Sequence, residues 1–377
     1  MQKKISCPHF PLCCSVHNVV DETGASFLKA KNFFKEWAAI DLVLSIGSVT
    51  GWRGRAKLAV RKGKGVPVIG LFTSGTHEVF SIPHCSAHHP KINEAVACVQ
   101  QVLDNSVCYD EKTHRGELRY LQAVVERKSN TVQLTLVINA VDEKRIHFWR
   151  LFAHTLFQKG LWHSMWLNIH TTTSNTIFGK EWIHVVGKDV VWEEIAGSAI
   201  PFGPAHFGQS NVEMFEQLIV DLRSWIPSGL SAVELYAGVG AIGLCLAQKC
   251  KAVLMTEVVG AARPYFELAK KKLEPSIQNK LIYHTLPAEK SFSFIEEADL
   301  LIVDPPRKGL DRAVIESIDG AKNLQYVAYV SCSWDSFERD CTQLLASGWR
   351  IAQAKSYLFF PGTDHIEILA LFTKKSG

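Results

Sequence analysis

No apolar run in the 377 residues approaches the roughly eighteen needed to cross a bilayer, so no membrane span is expected. The N-terminus, MQKKISCPHFPLCC, is basic but lacks an apolar segment ahead of a cleavage site. That argues against a secretory signal and makes the cytoplasm the expected location. Ten cysteines are too sparse for a disulfide scaffold in a chain of this size. They are expected to be reduced thiols, metal ligands or a catalytic group. Internal repeats and low-complexity tracts are absent. Excess charge is small as well: a net +4 tolerates nucleic acid without demanding it. With 47% hydrophobic and 21% charged residues the composition is that of a globular protein, long enough for two domains.

Charge distribution says more than the total. Arg53, Arg55, Lys57, Arg61, Lys62 and Lys64 stand close together beside Trp52, and no acid occurs from Gly51 to His77. Such a run is either a solvated strand pair or a nucleic-acid surface. Up to about residue 204, short alternating segments such as RAKLAVRKG, GVPVIGLFT, TVQLTLVIN, MWLNIHTTT and WIHVVGKDVVWEEI predict an antiparallel sheet, with two or three helices including FLKAKNFFKEWAAI. We expect residues 1–204 to form an N-terminal cysteine segment and a central α+β domain. Pro201-Phe202-Gly203-Pro204 makes a natural boundary. From 205 to 377, the runs SAVELYA, KAVLMTE, LIYHTL, DLLIVDP and QYVAYVSC alternate with amphipathic helices, which predicts a doubly wound, mostly parallel α/β sheet. WRIAQAKSYLF and HIEILALFT should close it as an antiparallel hairpin.

After the first of those strands comes Glu234-Leu-Tyr-Ala-Gly238-Val-Gly240-Ala-Ile-Gly243. These glycines permit a tight turn and let a ligand approach the backbone at a helix N-terminus. The same spacing fits a dinucleotide site, so a nicotinamide-dependent oxidoreductase is one reading. Glu234, inside the strand end, would repel a pyrophosphate and suit a cationic amino acid. Glu257 ends the next strand 19 residues after Gly238, placed to hold two ribose hydroxyls. Together these favour S-adenosylmethionine, which carries an ammonium and a sulfonium but no phosphate. Read as structure alone, they are turn glycines and a surface acid.

Three further groups gather where ligands collect, at the carboxyl ends of the strands. Asp304-Pro305-Pro306-Arg307 ends the fourth strand, with no N–H donors from the prolines to neutralise the carboxylate. Cys332, in Tyr329-Val-Ser-Cys-Ser-Trp334, ends the fifth and precedes a helix, whose dipole is expected to lower the thiol pKa. Glu367 interrupts the otherwise apolar last strand, at a cost of several kcal/mol unless paired or functional. A thiolate, a base and a sulfonium together suit methylation at carbon 5 of uracil. The sulfur adds at carbon 6, carbon 5 becomes nucleophilic, and a base then removes its proton. Cys332 and Glu367 fit those roles, while Asp304 can bind the cofactor's amino group or the uracil edge.

Four blocks, Phe207-Gly-Gln209-Ser-Asn211, Leu235-Tyr236-Ala-Gly-Val-Gly240, Asp304-Pro-Pro-Arg307 and Tyr329-Val-Ser-Cys332, followed by His365-Ile-Glu367, resemble the RNA 5-methyluridine methyltransferase family. The resemblance implies that Gln209, Tyr236, Glu257 and Asp304 bind S-adenosylmethionine, that Cys332 is the nucleophile and Glu367 the base, and that the target base is extruded from its stack. It also implies that the basic segment Gly51–Gly65 faces RNA. No oligonucleotide-binding barrel precedes Cys7, so RNA contact is expected from the central domain, and ribosomal RNA is favoured over transfer RNA. Ser333-Trp334 replaces the usual Asn-Pro after the nucleophile, and Ala241 stands where a polar side chain is common. In relatives with a [4Fe–4S] cluster, a Cys-x5-Cys-x2-Cys run is followed by a distant fourth cysteine. Cys7, Cys13 and Cys85 match three of these positions, while Val16 occupies the remaining one and Cys14 lies beside Cys13. A bound cluster or its remnant are the two readings. Alternatives to uridine methylation are an RNA cytosine carbon-5 methyltransferase, the oxidoreductase, and an inactive RNA-binding relative whose Trp334 blocks the pocket.

Overall fold

The structure, a computed structural model, describes residues 3–12, 15–140, 142–174 and 176–374. Among these, two large sheets dominate. The first has seven strands, in spatial order Glu181–Gly187, Trp162–Ile169, Thr131–Ile138, Leu118–Glu126, Arg55–Arg61, Val68–Phe72 and Val79–Ser81. Its leucine-rich face, including Leu121, Leu134 and Leu167, packs on Ile92 and Val99 of helix Pro90–Val102 and on Trp149 and Leu156 of helix Glu143–Phe157. The run expected as one strand from Trp182 to Ile195 is two, Glu181–Gly187 and Val191–Ile195. Gly187 turns the chain at φ +94, where a Cβ would strike the backbone of His163 and Ser164.

The second sheet runs Leu281–Thr285, Ala252–Glu257, Ser231–Leu235, Leu300–Val303, Tyr326–Ser331, Glu367–Lys374, Trp349–Tyr357 and Leu44–Ser45. The first five are parallel; Glu367–Lys374 is antiparallel to both neighbours. Alternate residues of each strand enter opposite cores: Val233, Leu301, Val327 and Tyr329 on one side, Ala232, Ile302, Ala328 and Val330 on the other. Burial on both faces explains why these segments read as continuous apolar runs. The expected doubly wound sheet with its terminal hairpin is present.

The cores do not divide at residue 204. Helix Ala25–Ala38 carries Phe27, Ala30, Phe33 and Phe34 at helical spacing, and this stripe is buried against the C-terminal sheet. Leu44–Ser45 also joins that sheet, pairing in parallel with Ser356 and Tyr357. A strand of two residues gives no periodicity, so this edge was not legible in the sequence. Among the described residues no helix is long and apolar enough to cross a membrane.

Candidate active site

Strand order reverses at Ser231–Leu235, whose neighbours are Ala252–Glu257 on one side and Leu300–Val303 on the other. A crevice opens at such a switch point, beyond the carboxyl ends. Tyr236, Glu257, Asp304 and Cys332 all lie at or just past those ends. Glu367 comes from the opposite direction. Because its strand is antiparallel to Tyr326–Ser331, with Ile368 opposite Ser331, the first residue of one strand meets the same rim as the last residue of the other. Cys332 and Glu367 are thus neighbours although 35 positions apart in sequence.

Gln209, Tyr236, Glu257 and Asp304 line one cavity of about 480 Å³. Tyr236 has φ +59, a conformation that costs an L-residue and is kept where the surroundings demand it. Burial pushes its hydroxyl up to about 12. Both oxygens of Glu257 are engaged by backbone, accepting from Gly238 N–H at 2.9 Å and from Val259 N–H at 2.8 Å. The carboxylate is thereby fixed in orientation with lone pairs to spare. Asn211 caps helix Val212–Trp225, accepting from Met214 N–H at 3.2 Å and donating to the Phe359 carbonyl at 3.0 Å, which sets the Phe207–Asn211 segment against the loop leading to Glu367.

Glu234 departs from its expected role. It is 2% exposed, accepts from Gly243 N–H at 2.8 Å, and burial pushes it up to about 8. It acts as a strut of the glycine turn and presents little negative charge near neutrality. The same contacts weigh against a dinucleotide, since the Gly238 and Gly243 amides that would cradle a pyrophosphate already serve carboxylates.

The candidate reacting groups are electrostatically linked. Burial raises Asp304 to about 7. Glu367, 5% exposed, is held well above the ordinary carboxyl range by burial and then by Asp304, with Arg307 opposing. The expectation of a depressed thiol at Cys332 is overturned: burial, then Glu367 and Asp304, push it up to about 11 against the pull of Arg307. The helix begins only at Trp334, so its dipole is outweighed by two carboxyl groups and a half-buried setting. Compared with an ordinary thiol at 9.0, about 100-fold less thiolate exists near neutrality. Alkylation of Cys332 in the free protein, followed by peptide mapping with iodoacetamide, should therefore accelerate about tenfold per pH unit between about pH 7 and pH 10. A rate already level at pH 7 would overturn this reading.

Trp334 does not block the cavity. It is 5% exposed and packs on Phe33, Phe34 and Phe337 at ring separations of 5.5, 6.2 and 5.8 Å. Sequence reasoning missed Arg127 and Glu193, which join Trp52 and Arg55 in lining the same cavity. Arg127 donates to Glu193 at 2.6 Å, and Arg55 donates to the His206 carbonyl at 3.3 Å with its guanidinium 5.0 Å from the Phe202 ring centre. The basic segment is also less uniform than expected. Lys57, Lys62 and Lys64 are exposed, but Arg61 is buried between Phe72, Tyr109 and Tyr120 and paired with Glu111.

Of the candidate metal ligands, Cys7 is half-buried, Cys85 is buried, and Cys13 lies outside the described residues. A His9 ring nitrogen meets the Pro83 carbonyl at 2.5 Å, so the N-terminal turn sits beside the Cys85 segment. Among the described residues no three His, Cys, Asp or Glu side chains are arranged to hold a metal ion.

Comparison with known proteins identifies the fold and the family. The solved structure of a Pyrococcus abyssi tRNA (uracil-54, C5)-methyltransferase, in complex with S-adenosyl-L-homocysteine, superposes with a TM-score of 0.79 over 98% of this chain and 85% of its own, at 20% identity, which establishes the shared fold. An uncharacterized RNA methyltransferase of Protochlamydia amoebophila is 38% identical over 380 residues, 99% of this chain and 98% of the relative. One from Thermosynechococcus vestitus is 30% identical over 88% of this chain and 73% of its own length. The sequence profile of tRNA (uracil-5-)-methyltransferases matches residues 26–375, and the chain belongs to that family of RNA (uracil-C5) methyltransferases.

Proposed function

We propose that the protein methylates carbon 5 of a uridine in RNA from S-adenosylmethionine, through a covalent bond between Cys332 and carbon 6, with Glu367 as the base. The observation that carries this is the antiparallel pairing of Ser331 with Ile368, which sets the Cys332 and Glu367 positions on one rim, coupled electrostatically to Asp304 in the cavity wall. The cavity's donor set fits the cofactor: an anchored Glu257 for ribose hydroxyls, and Asp304 with the Gln209 amide for a cationic amino-acid end. When bound, S-adenosylmethionine supplies an electrophilic methyl group and a positive charge that favours the ionised forms of the neighbouring acids.

The Cys332 thiolate forms a bond to carbon 6 of the ring, and the displaced electron pair moves onto the carbon 4 oxygen. Carbon 5 is then nucleophilic and takes the methyl group, leaving a neutral thioether. Glu367, as carboxylate, receives the carbon 5 proton. The released pair restores the carbon 5–carbon 6 double bond and expels the sulfur as thiolate; Glu367 then passes the proton on to solvent, which regenerates the protein. In the free protein both Cys332 and Glu367 are pushed toward their neutral forms, so the charged forms are favoured only once ligands fill the crevice.

The test is incubation with methyl-labelled S-adenosylmethionine and, separately, transfer RNA and ribosomal RNA lacking the modification, followed by digestion to nucleosides. Label in 5-methyluridine is the expected result. Label in 5-methylcytidine would replace uridine by cytosine as the target, and no label in either RNA would sink the reading. Both RNA classes are needed. Ribosomal RNA was favoured from the sequence, whereas the family profile is named for transfer RNA.

A further inference from the structure

A carboxylate outside the cavity lining sits beneath the two loops that carry Asp304 and Cys332. Asp340 lies on helix Trp334–Ala346, directly after Cys332, and is 0% exposed. One of its oxygens accepts from Leu310 N–H at 2.7 Å and from the Tyr329 hydroxyl at 2.8 Å. The other accepts from Nε and a terminal nitrogen of Arg339 at 2.8 and 2.7 Å. That same terminal nitrogen donates on to the Lys308 carbonyl at 2.8 Å. Burial, then the Asp340 charge, holds the Tyr329 hydroxyl well above its ordinary range, so the phenol stays a donor.

A carboxylate this deep is costly unless it is fully hydrogen-bonded, and the partners of Asp340 come from the segments that matter to the chemistry. Tyr329 stands on strand Tyr326–Ser331, just before Cys332. Leu310 and Lys308 belong to the loop after Leu300–Val303, the loop of Asp304 and Arg307. Pro305 and Pro306 have no N–H with which to pin that loop, so its attachment falls to the residues after Arg307. Gly309 marks how close the attachment is. Its φ is +80, and a Cβ there would strike the Asp340 carboxyl and the Arg339 guanidinium.

We propose that Asp340 is a positioning residue for methyl transfer, a latch that fixes the loop of Asp304 and Arg307 against the strand and helix that flank Cys332. The proposal rests on the covalent reading above and names what keeps its nucleophile and its cavity carboxyl in register. Asp340 itself touches neither substrate nor cofactor; it acts through the two loops.

The test follows methyl transfer by the full chain to unmodified transfer RNA and ribosomal RNA, beside iodoacetamide alkylation of Cys332 in the free protein. Asp340→Ala is expected to lower kcat about 100-fold, the effect of misplacing a group by about 1 Å, with the KM for RNA unmoved because Asp340 is buried. Asp340→Asn, whose amide oxygen still accepts from Leu310 and Tyr329, should recover most of the loss. Gly309→Ala pries the same contact apart from the loop side and should reproduce the alanine variant. Of the loop's two charges, Asp304 outweighs Arg307 at the thiol, so a loosened loop leaves Cys332 below about 11. Its alkylation at about pH 8 should then quicken roughly tenfold for each pH unit of that fall, giving a readier thiol with slower turnover. Cys341, 0% exposed on the same helix, should stay unlabelled and so report that the fold is intact. A kcat within about threefold of wild type in both Asp340→Ala and Gly309→Ala would overturn the latch. So would an alkylation profile that does not move, or labelling of Cys341 in step with Cys332. A shifted Cys332 profile in a protein that methylates neither RNA would instead sink the catalytic reading and leave the attachment of the two loops standing.

Discussion

Cys332→Ala is expected to lower methyl transfer about 10⁴-fold or more while leaving S-adenosylmethionine affinity unchanged, because it removes the only group proposed to bond with the ring. Carbon 5 of uracil is a poor nucleophile until something adds at carbon 6, so no residual pathway of similar speed is available. The check uses structured RNA containing 5-fluorouridine with S-adenosylmethionine. Fluorine cannot leave carbon 5 as a proton does, so wild-type protein should accumulate a denaturation-stable adduct that carries the methyl group. The alanine variant should form none. Cys332→Ser should behave like alanine, since a neutral hydroxyl lacks the nucleophilicity of a thiolate. Turnover within about tenfold of wild type in either variant would show that the sulfur is dispensable, and the covalent mechanism would fall.

Much of this candidate site could be read from the chain because each candidate reactive group falls at a strand end. Ser231–Leu235, Leu300–Val303 and Tyr326–Ser331 are short apolar runs whose alternate residues enter two different cores, and the residue that follows each run must emerge at the rim. Glu367 was visible for a related reason, as a carboxylate opening a strand of Ile368, Leu369, Ala370, Leu371 and Phe372, all buried. Polar residues that break an apolar pattern carry information that polar residues in loops do not.

The illegible part lay in contacts between distant segments. Phe33 and Phe34 announce a helix face but not that Trp334 completes it, some 300 positions later. The state of Cys332 depends on Asp304 and Glu367, which no local pattern around Ser331-Cys332-Ser333 reveals; the helix that follows suggested the opposite sign. Glu234 looked like a ligand-binding acid because its hydrogen bond to Gly243 closes only when the turn folds. The far wall of the cavity, with Arg55, Arg127 and Glu193, draws on three strands and loops with no shared motif. In each case sequence proximity gave the side chain and tertiary packing gave its charge state or its neighbour.

Glu367→Gln separates the two halves of the reaction. The amide keeps the shape of the side chain and removes the ability to accept a proton, so addition of Cys332 and transfer of the methyl group should still occur while the carbon 5 proton stays in place. Turnover is expected to fall about 10²- to 10⁴-fold, the usual range for a positioned base, with the methylated covalent adduct accumulating on ordinary RNA. The stability consequence has the opposite sign. Glu367 is 5% exposed and its carboxyl is held well above the ordinary range, so ionisation favours the unfolded chain as pH rises above the unfolded value near 4.5. Replacing it with an uncharged amide removes that penalty. The variant should therefore match wild type in thermal stability at about pH 4 and exceed it increasingly toward pH 8. A variant that loses turnover without accumulating adduct would assign Glu367 to a step before methyl transfer. One that is destabilised more at pH 8 than at pH 4 would show that the folded protein favours the charged carboxylate, and either result would remove the argument for it as the base.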